Sequence, residues 1–225
     1  SDVYKRQDLG SFNACAGNEE CQNGECVVVC TDDCTPNELQ CSASNDAVEI
    51  CAADGDSDPC FEWKIQQTCT SGSEVCHQAA CVSTEPPANL VISKVLYDSD
   101  GNPDLYAYIE IFGPADLVLD HYSIVGYNGS TDSEYMEIDL GGYTLPANGH
   151  LVLARTDTAW DTSLVDIFTD DADLQNGTNN DGDGVQIRWA GITTVDALAY
   201  EGDAAGEGNP ADSADYDTTY DITYC

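Results

Sequence analysis

The placement of cysteine constrains this chain more than any other feature. Of its 12 cysteines, eleven fall between Cys15 and Cys81 and the last is Cys225. Such density asks for covalent cross-links or bound metal, and the long cysteine-free stretch that follows must be held by something else. The spacing repeats: Cys15-x5-Cys21-x4-Cys26-Val is echoed by Cys69-x6-Cys76-x4-Cys81-Val. Residues 11–29 therefore read as the C-terminal remnant of one module, and residues 30–81 as a whole copy. The whole copy carries Cys30, Cys34, Cys41, Cys51, Cys60, Cys69, Cys76 and Cys81, an even set whose 105 pairings the sequence leaves open. Its large apolar residues, Val48, Ile50, Phe61, Trp63 and Ile65, are too few for a core. Disulfides, worth about 2–4 kcal/mol each, are the expected substitute. Zinc is the competing reading. No Cys-x2-Cys pair occurs, Cys30-x3-Cys34 comes nearest, and His77 is the one histidine at hand. The expectation is a disulfide-rich module in an oxidising compartment.

Composition changes at Val82–Asn89, VSTEPPAN, where two prolines mark an extended linker. Residues 90–202 contain no cysteine. Here LVISKVLY and YAYIEIF flank an acidic loop, the second run alternating Ala107, Ile109 and Ile111 against Tyr106, Tyr108 and Glu110. That period of two puts the aliphatic set on one face. If the runs pair antiparallel, Lys94 and Glu110 form a cross-strand ion pair of structural kind, worth about 0.2–1 kcal/mol. SIVGYNG ends on the hairpin signal Asn128-Gly129. EYMEIDL, HLVLAR with Leu151 and Leu153 facing one way, LVDIF, VQIRW and TTVDALAY follow at turn-punctuated intervals. No stretch has helical periodicity, so the expected fold is all-β, a sandwich preceded by the small disulfide-rich module. The acidic tail 203–225 offers one more edge strand in DYDTTYDITYC. The opening ten residues, with SDVYKRQ, read as a leader or scar, and the chain as a piece of a longer protein.

Six Lys and Arg stand against 42 Asp and Glu, a formal charge of −36. Without a neutralising partner this field repels phosphate backbones and anionic lipid, so no nucleic-acid partner is expected on direct electrostatics. No apolar run approaches the ~18 residues of a membrane span. Hard cations remain admissible. Asp98, Asp100, Asn102 and Asp104 place four oxygen side chains at alternate positions around Gly101, the pattern of a Ca²⁺ loop, although position twelve is Ile109 rather than a carboxylate. Asn179, Asp181 and Asp183 form a second such loop and Asp54, Asp56 and Asp58 a third. No other cofactor is expected. His77, His121 and His150 lie in no catalytic motif, and no residue is assigned a catalytic role. Tyr97, Tyr106, Tyr108, Tyr122 and Tyr127 cluster near the first strands, suited to half-buried strand positions or to a protein or glycan contact surface. Asn128-Gly-Ser and Asn176-Gly-Thr are glycosylation sequons in form.

The ordered run ISKVLY, YIEIF, Leu119-x-x-Tyr122 with SIVGYNG, YTLPANGHLVLA and DGVQIRW…VDALAY resembles the bacterial lamin tail domain. Two positions depart from that pattern: Gly113, where the family carries Asn, and His121, where it carries Gly. The resemblance implies an immunoglobulin-like sandwich in a secreted or cell-surface bacterial protein. The run C-x6-C-x9-C…W…C-x6-C-x4-C resembles the cysteine-rich repeats of bacterial, particularly myxobacterial, secreted proteins. The function expected is a non-enzymatic accessory, adhesive, tethering or spacer module with a protein or glycan ligand. The alternative is the accessory region of an extracellular hydrolase or nuclease whose catalytic domain lies elsewhere.

Overall fold

The structure, a computed structural model, describes residues 19–22, 25–28, 32–53, 60–97, 105–131, 133–175, 182–200 and 223–224. Among them there is no helix, and so none long and apolar enough to cross a membrane. The chain is all-β.

The first hairpin is β1 (Glu19–Gln22) with β2 (Glu25–Val28). Strands β3 (Leu39–Cys41), β4 (Ala47–Ala53) and β5 (Phe61–Thr68) make an antiparallel three-stranded sheet in chain order. Apart from Val48, its large apolar side chains bury little: Ile65 is 67% exposed, and Ile50, Phe61 and Trp63 are half-buried. A second hairpin, β6 (Glu74–His77) and β7 (Ala80–Ser83), turns on Gln78 and Ala79, both at positive φ (50° and 59°). This is the type I′ geometry that matches strand twist, reached here without the usual Asn-Gly.

Sulfur replaces the missing core. Cys34 bonds Cys51, Cys41 bonds Cys76 and Cys69 bonds Cys81. Cys76 and Cys81 face each other across the hairpin yet each bonds elsewhere, Cys76 to β3 and Cys81 to the segment just after β5. Val48 is the one aliphatic side chain in the resulting buried cluster, packed among Cys41, Cys69, Cys76 and Cys81. Cys26 and Cys60 are also disulfide-bonded. Cys30 lies outside the described residues. These cross-links mark an oxidising environment.

Beyond the linker, two sheets share one core. Strands β8 (Val91–Leu96), β9 (Tyr108–Phe112), β12 (His150–Ala154), β13 (Ile167–Phe168) and β16 (Thr223–Tyr224) form a sheet in the order β13-β12-β9-β8-β16. Strands β10 (Tyr122–Asn128), β11 (Ser133–Asp139), β14 (Asp183–Trp189) and β15 (Thr193–Tyr200) form the other, in the order β11-β10-β14-β15. All pairings are antiparallel except the short β12–β13 contact. The alternation read in YAYIEIF is the alternation observed: Ala107, Ile109 and Ile111 are buried, with Leu151 and Leu153 beside them on β12. Ile124, Val185, Ile187 and Leu198 complete the core from the other sheet. Each such side chain contributes about 1.5–3 kcal/mol by leaving water. Tyr97 and Tyr200 stack inside it at 4.2 Å.

The hairpin β6–β7 and the linker dock on this two-sheet body. Val75 and Val82 pack against its core. Trp189 donates through Nε1 to the Ser83 carbonyl (2.6 Å), Thr193 Oγ1 to the Thr84 carbonyl (2.9 Å) and the Tyr122 hydroxyl to the Ala88 carbonyl (2.6 Å).

Candidate functional site

Pairing register builds the site. Lys94 on β8, Glu110 on β9 and Val152 on β12 lie side by side on the outer face of the five-stranded sheet, with Phe112 and His150 paired in the adjacent row. The expected ion pair is present: Lys94 Nζ donates to both Glu110 oxygens at 2.9 and 3.1 Å. Ser93 Oγ donates to Oε1 at 2.7 Å, and His150 Nδ1 lies 3.2 Å from the same oxygen. Burial pushes the Glu110 pKa upward, but the donors Ser93, Lys94 and His150 outweigh it and hold the carboxyl below its usual range. The bond to Glu110 in turn raises Lys94. Glu110 is thus a fixed carboxylate with its acceptors in use, poorly suited to moving a proton at neutral pH.

These residues floor an open cleft of about 440 Å³, bounded by Pro146, Asn148, Ser163, Leu164 and Asp166. Glu110, Val152 and Leu164 are shared with an adjoining hollow of about 140 Å³ that ends on Tyr108 and Trp160. The far wall is the loop between β12 and β13. It is pinned by Ala159 N to the Leu105 carbonyl (2.7 Å), by Trp160 Nε1 to the Tyr106 carbonyl (3.0 Å) and by Val152 N to Asp166 Oδ2 (2.8 Å). Trp160 stands edge-on to both Tyr106 and Tyr108, ring centres 5.5 Å away in each case. One end of the cleft is therefore aromatic and the other carries a half-exposed ammonium and imidazole. Such a mixed surface suits a ligand with an apolar ring face and polar edges.

Several residues singled out in the sequence are absent from this cleft. Tyr97 and Tyr122 are core residues, fully buried, while Tyr127 packs under Arg188, whose guanidinium bonds Glu134 at 2.6 Å. Asp98, Asp100, Asn102 and Asp104 lie outside the described residues, as do Asn179, Asp181, Asp54, Asp56 and Asp58. Asp183 is described: it is 2% exposed, accepts from Gly129 N at 3.1 Å, and burial raises its pKa. Among the described residues no three His, Cys, Asp or Glu side chains gather as a metal site. Trp160, Asn148 and Asp166 had no motif to announce them; the one available signal was a lone tryptophan in the polar loop RTDTAWDTS.

No family model matches the chain, and no curated protein matches it.

Proposed function

We propose that the chain is a non-enzymatic binding module of a secreted or cell-surface protein, and that its ligand is a glycan seated in the cleft on the outer face of β8, β9 and β12. One observation carries this reading: an aromatic end at Trp160 and a charged end at Lys94 and His150 share an open, pre-formed hollow, with the carboxylate between them neutralised by its own neighbours. Sugars stack a ring face on aromatic side chains and offer hydroxyls to charged and amide groups. The disulfides favour an extracellular setting. Within this proposal residues 90–202 form an immunoglobulin-like, lamin-tail-like sandwich with β16 added at one sheet edge, supported by two largely antiparallel sheets around a common core and by the ordered motifs it resembles. The module 30–81 and the linker 82–89 then serve as a cross-linked spacer ahead of it.

The test is retention of the full chain on an immobilised glycan panel, wild type beside Trp160→Ala. Wild type is expected to be retained on a restricted set of glycans, with affinity falling about tenfold or more on loss of the indole, the equivalent of ~1.4 kcal/mol. Absence of retention on every glycan, or retention indifferent to the substitution, overturns the reading. Calcium on Asp98, Asp100, Asn102 and Asp104 is the part of the proposal that rests on sequence alone. Thermal melting with and without chelator decides it: a rise of several degrees with Ca²⁺ supports the site, and coincident curves remove it.

A further inference from the structure

The docked hairpin meets the two-sheet body through two histidines. His77 ends β6, and His121 precedes β10 at a φ of 68°, a left-handed conformation disfavoured for any residue with a Cβ. Their Nδ1 atoms are 3.2 Å apart and their ring centres 5.4 Å. The difference is close to one ring width, so the two nitrogens point at each other along nearly one line. That is the geometry of a single N–H···N hydrogen bond, with one neutral imidazole donating and the other accepting. A second proton has no place in it: N–H would face N–H, and two positive charges would stand in contact.

The surroundings favour the neutral pair. Trp189 and His121 pack edge to face with ring centres 5.7 Å apart, and the His77 ring lies against Gly191. The titratable groups whose charge reaches His77 are His121 on the same joint and Asp139 and Glu137 on β11. Asp139 is engaged by Gln78 Nε2 at 2.8 Å and by Gly141 N at 2.9 Å. Burial lowers the His77 pKa and His121 lowers it further, while the two carboxylates oppose them without reversing the shift.

We propose that His77 and His121 form a pH-sensitive latch that holds the disulfide-linked hairpin on the two-sheet body when neutral and loosens it when protonated. The sign follows from linkage. With His77 lowered in the docked state, the undocked state binds more protons, so docking is fully present above the ordinary histidine pKa of about 6.5 and weakens as pH falls through the docked-state value. Each unit of lowering corresponds to about a tenfold change in the docking equilibrium. Beside the Gln78–Asp139 bond, the joint is held by Trp189 to the Ser83 carbonyl at the end of β7 and by Thr193 and Tyr122 to the linker carbonyls of Thr84 and Ala88, and these last three bonds carry no group that titrates in this range. The latch therefore acts on the hairpin while the linker stays seated.

Hydrogen exchange of residues 74–83 in the full chain, from pH 7.5 to 5 and corrected for intrinsic rates, tests this. Wild-type protection is expected to fall towards acid while β9, β10 and β14 hold theirs, and His77→Asn and His121→Asn are expected to give flat profiles. A flat wild-type profile overturns the proposal, as does an undiminished fall in both variants, which would assign the effect to Asp139 or Glu137. Should a variant fail to fold, the ring titration of His77 in the wild type decides: a midpoint below that of free histidine supports the latch, and one at or above it overturns it.

Discussion

Glu110 is the residue on which the cleft floor turns. Its side chain is 12% exposed and is met by Lys94, Ser93 and His150. Replacing it by glutamine keeps the shape and removes the charge, so Glu110→Gln is expected to lower stability by about 1–2 kcal/mol at pH 7, read from urea unfolding. Because the folded carboxyl titrates below its unfolded value, that contribution is complete above the unfolded pKa and disappears as pH falls through the folded one. The gap between the two proteins should therefore narrow as pH falls below the ordinary glutamate pKa of about 4.3; a gap that stays constant on acidification would contradict the assignment. Gly113 makes a different demand. A Cβ there would sit 2.4 Å from Leu90 Cδ2 and 3.0 Å from Leu145 Cδ1, and both leucines are fully buried. Gly113→Ala is expected to cost about 1–3 kcal/mol in thermal or denaturant melts, as overpacking of a closed core does. The glycine was visible in the sequence as a departure from a resembled pattern. Its reason, a close approach by residues 23 and 32 positions away, was not.

At the scale of elements, legibility followed locality. The alternation in YAYIEIF, the Lys94–Glu110 register and the hairpin signalled by Asn128-Gly129 depend on neighbours a few positions away or on one hairpin, and each is found, although Asn128 itself ends β10 opposite Ser133 and the loop follows it. The β6–β7 turn was hidden because Gln78-Ala79 carries none of the usual left-handed residues. The disulfide pairing was hidden too, since Cys76 and Cys81 lie opposite each other and still bond outward. The cleft was the least legible part: Trp160 reaches Tyr106 and Tyr108 only because Ala159 and Trp160 are hydrogen-bonded to the segment before β9. The cross-links also rank themselves. Cys41–Cys76 spans 35 residues and Cys69–Cys81 spans 12. By loop-closure entropy the first contributes about 4 kcal/mol and the second about 3. Cys41→Ser with Cys76→Ser should accordingly lower the unfolding midpoint of residues 32–83 more than Cys69→Ser with Cys81→Ser; the reverse order would argue that native-state contacts, not chain entropy, set the contribution.

Over the whole molecule, a formal charge of −36 sets solution behaviour. Self-repulsion among exposed carboxylates is screened beyond about 8 Å at physiological ionic strength, so the melting temperature is expected to rise between 10 mM and 150 mM NaCl. A melting temperature that falls with salt would mean that attractive pairs such as Arg188–Glu134 outweigh the net field. The binding face proposed here belongs to a body that contains no cysteine among its described residues, while the region ahead of it is held by cross-links around a single valine. On this division rests the proposed binding face, since a cleft that collapsed with the disulfides could not act as an independent contact surface. Hydrogen exchange of the full chain before and after mild reduction tests it most directly. Residues 32–83 are expected to lose their protection while β9, β10, β12 and β14 keep theirs; loss of protection in both regions together would contradict it.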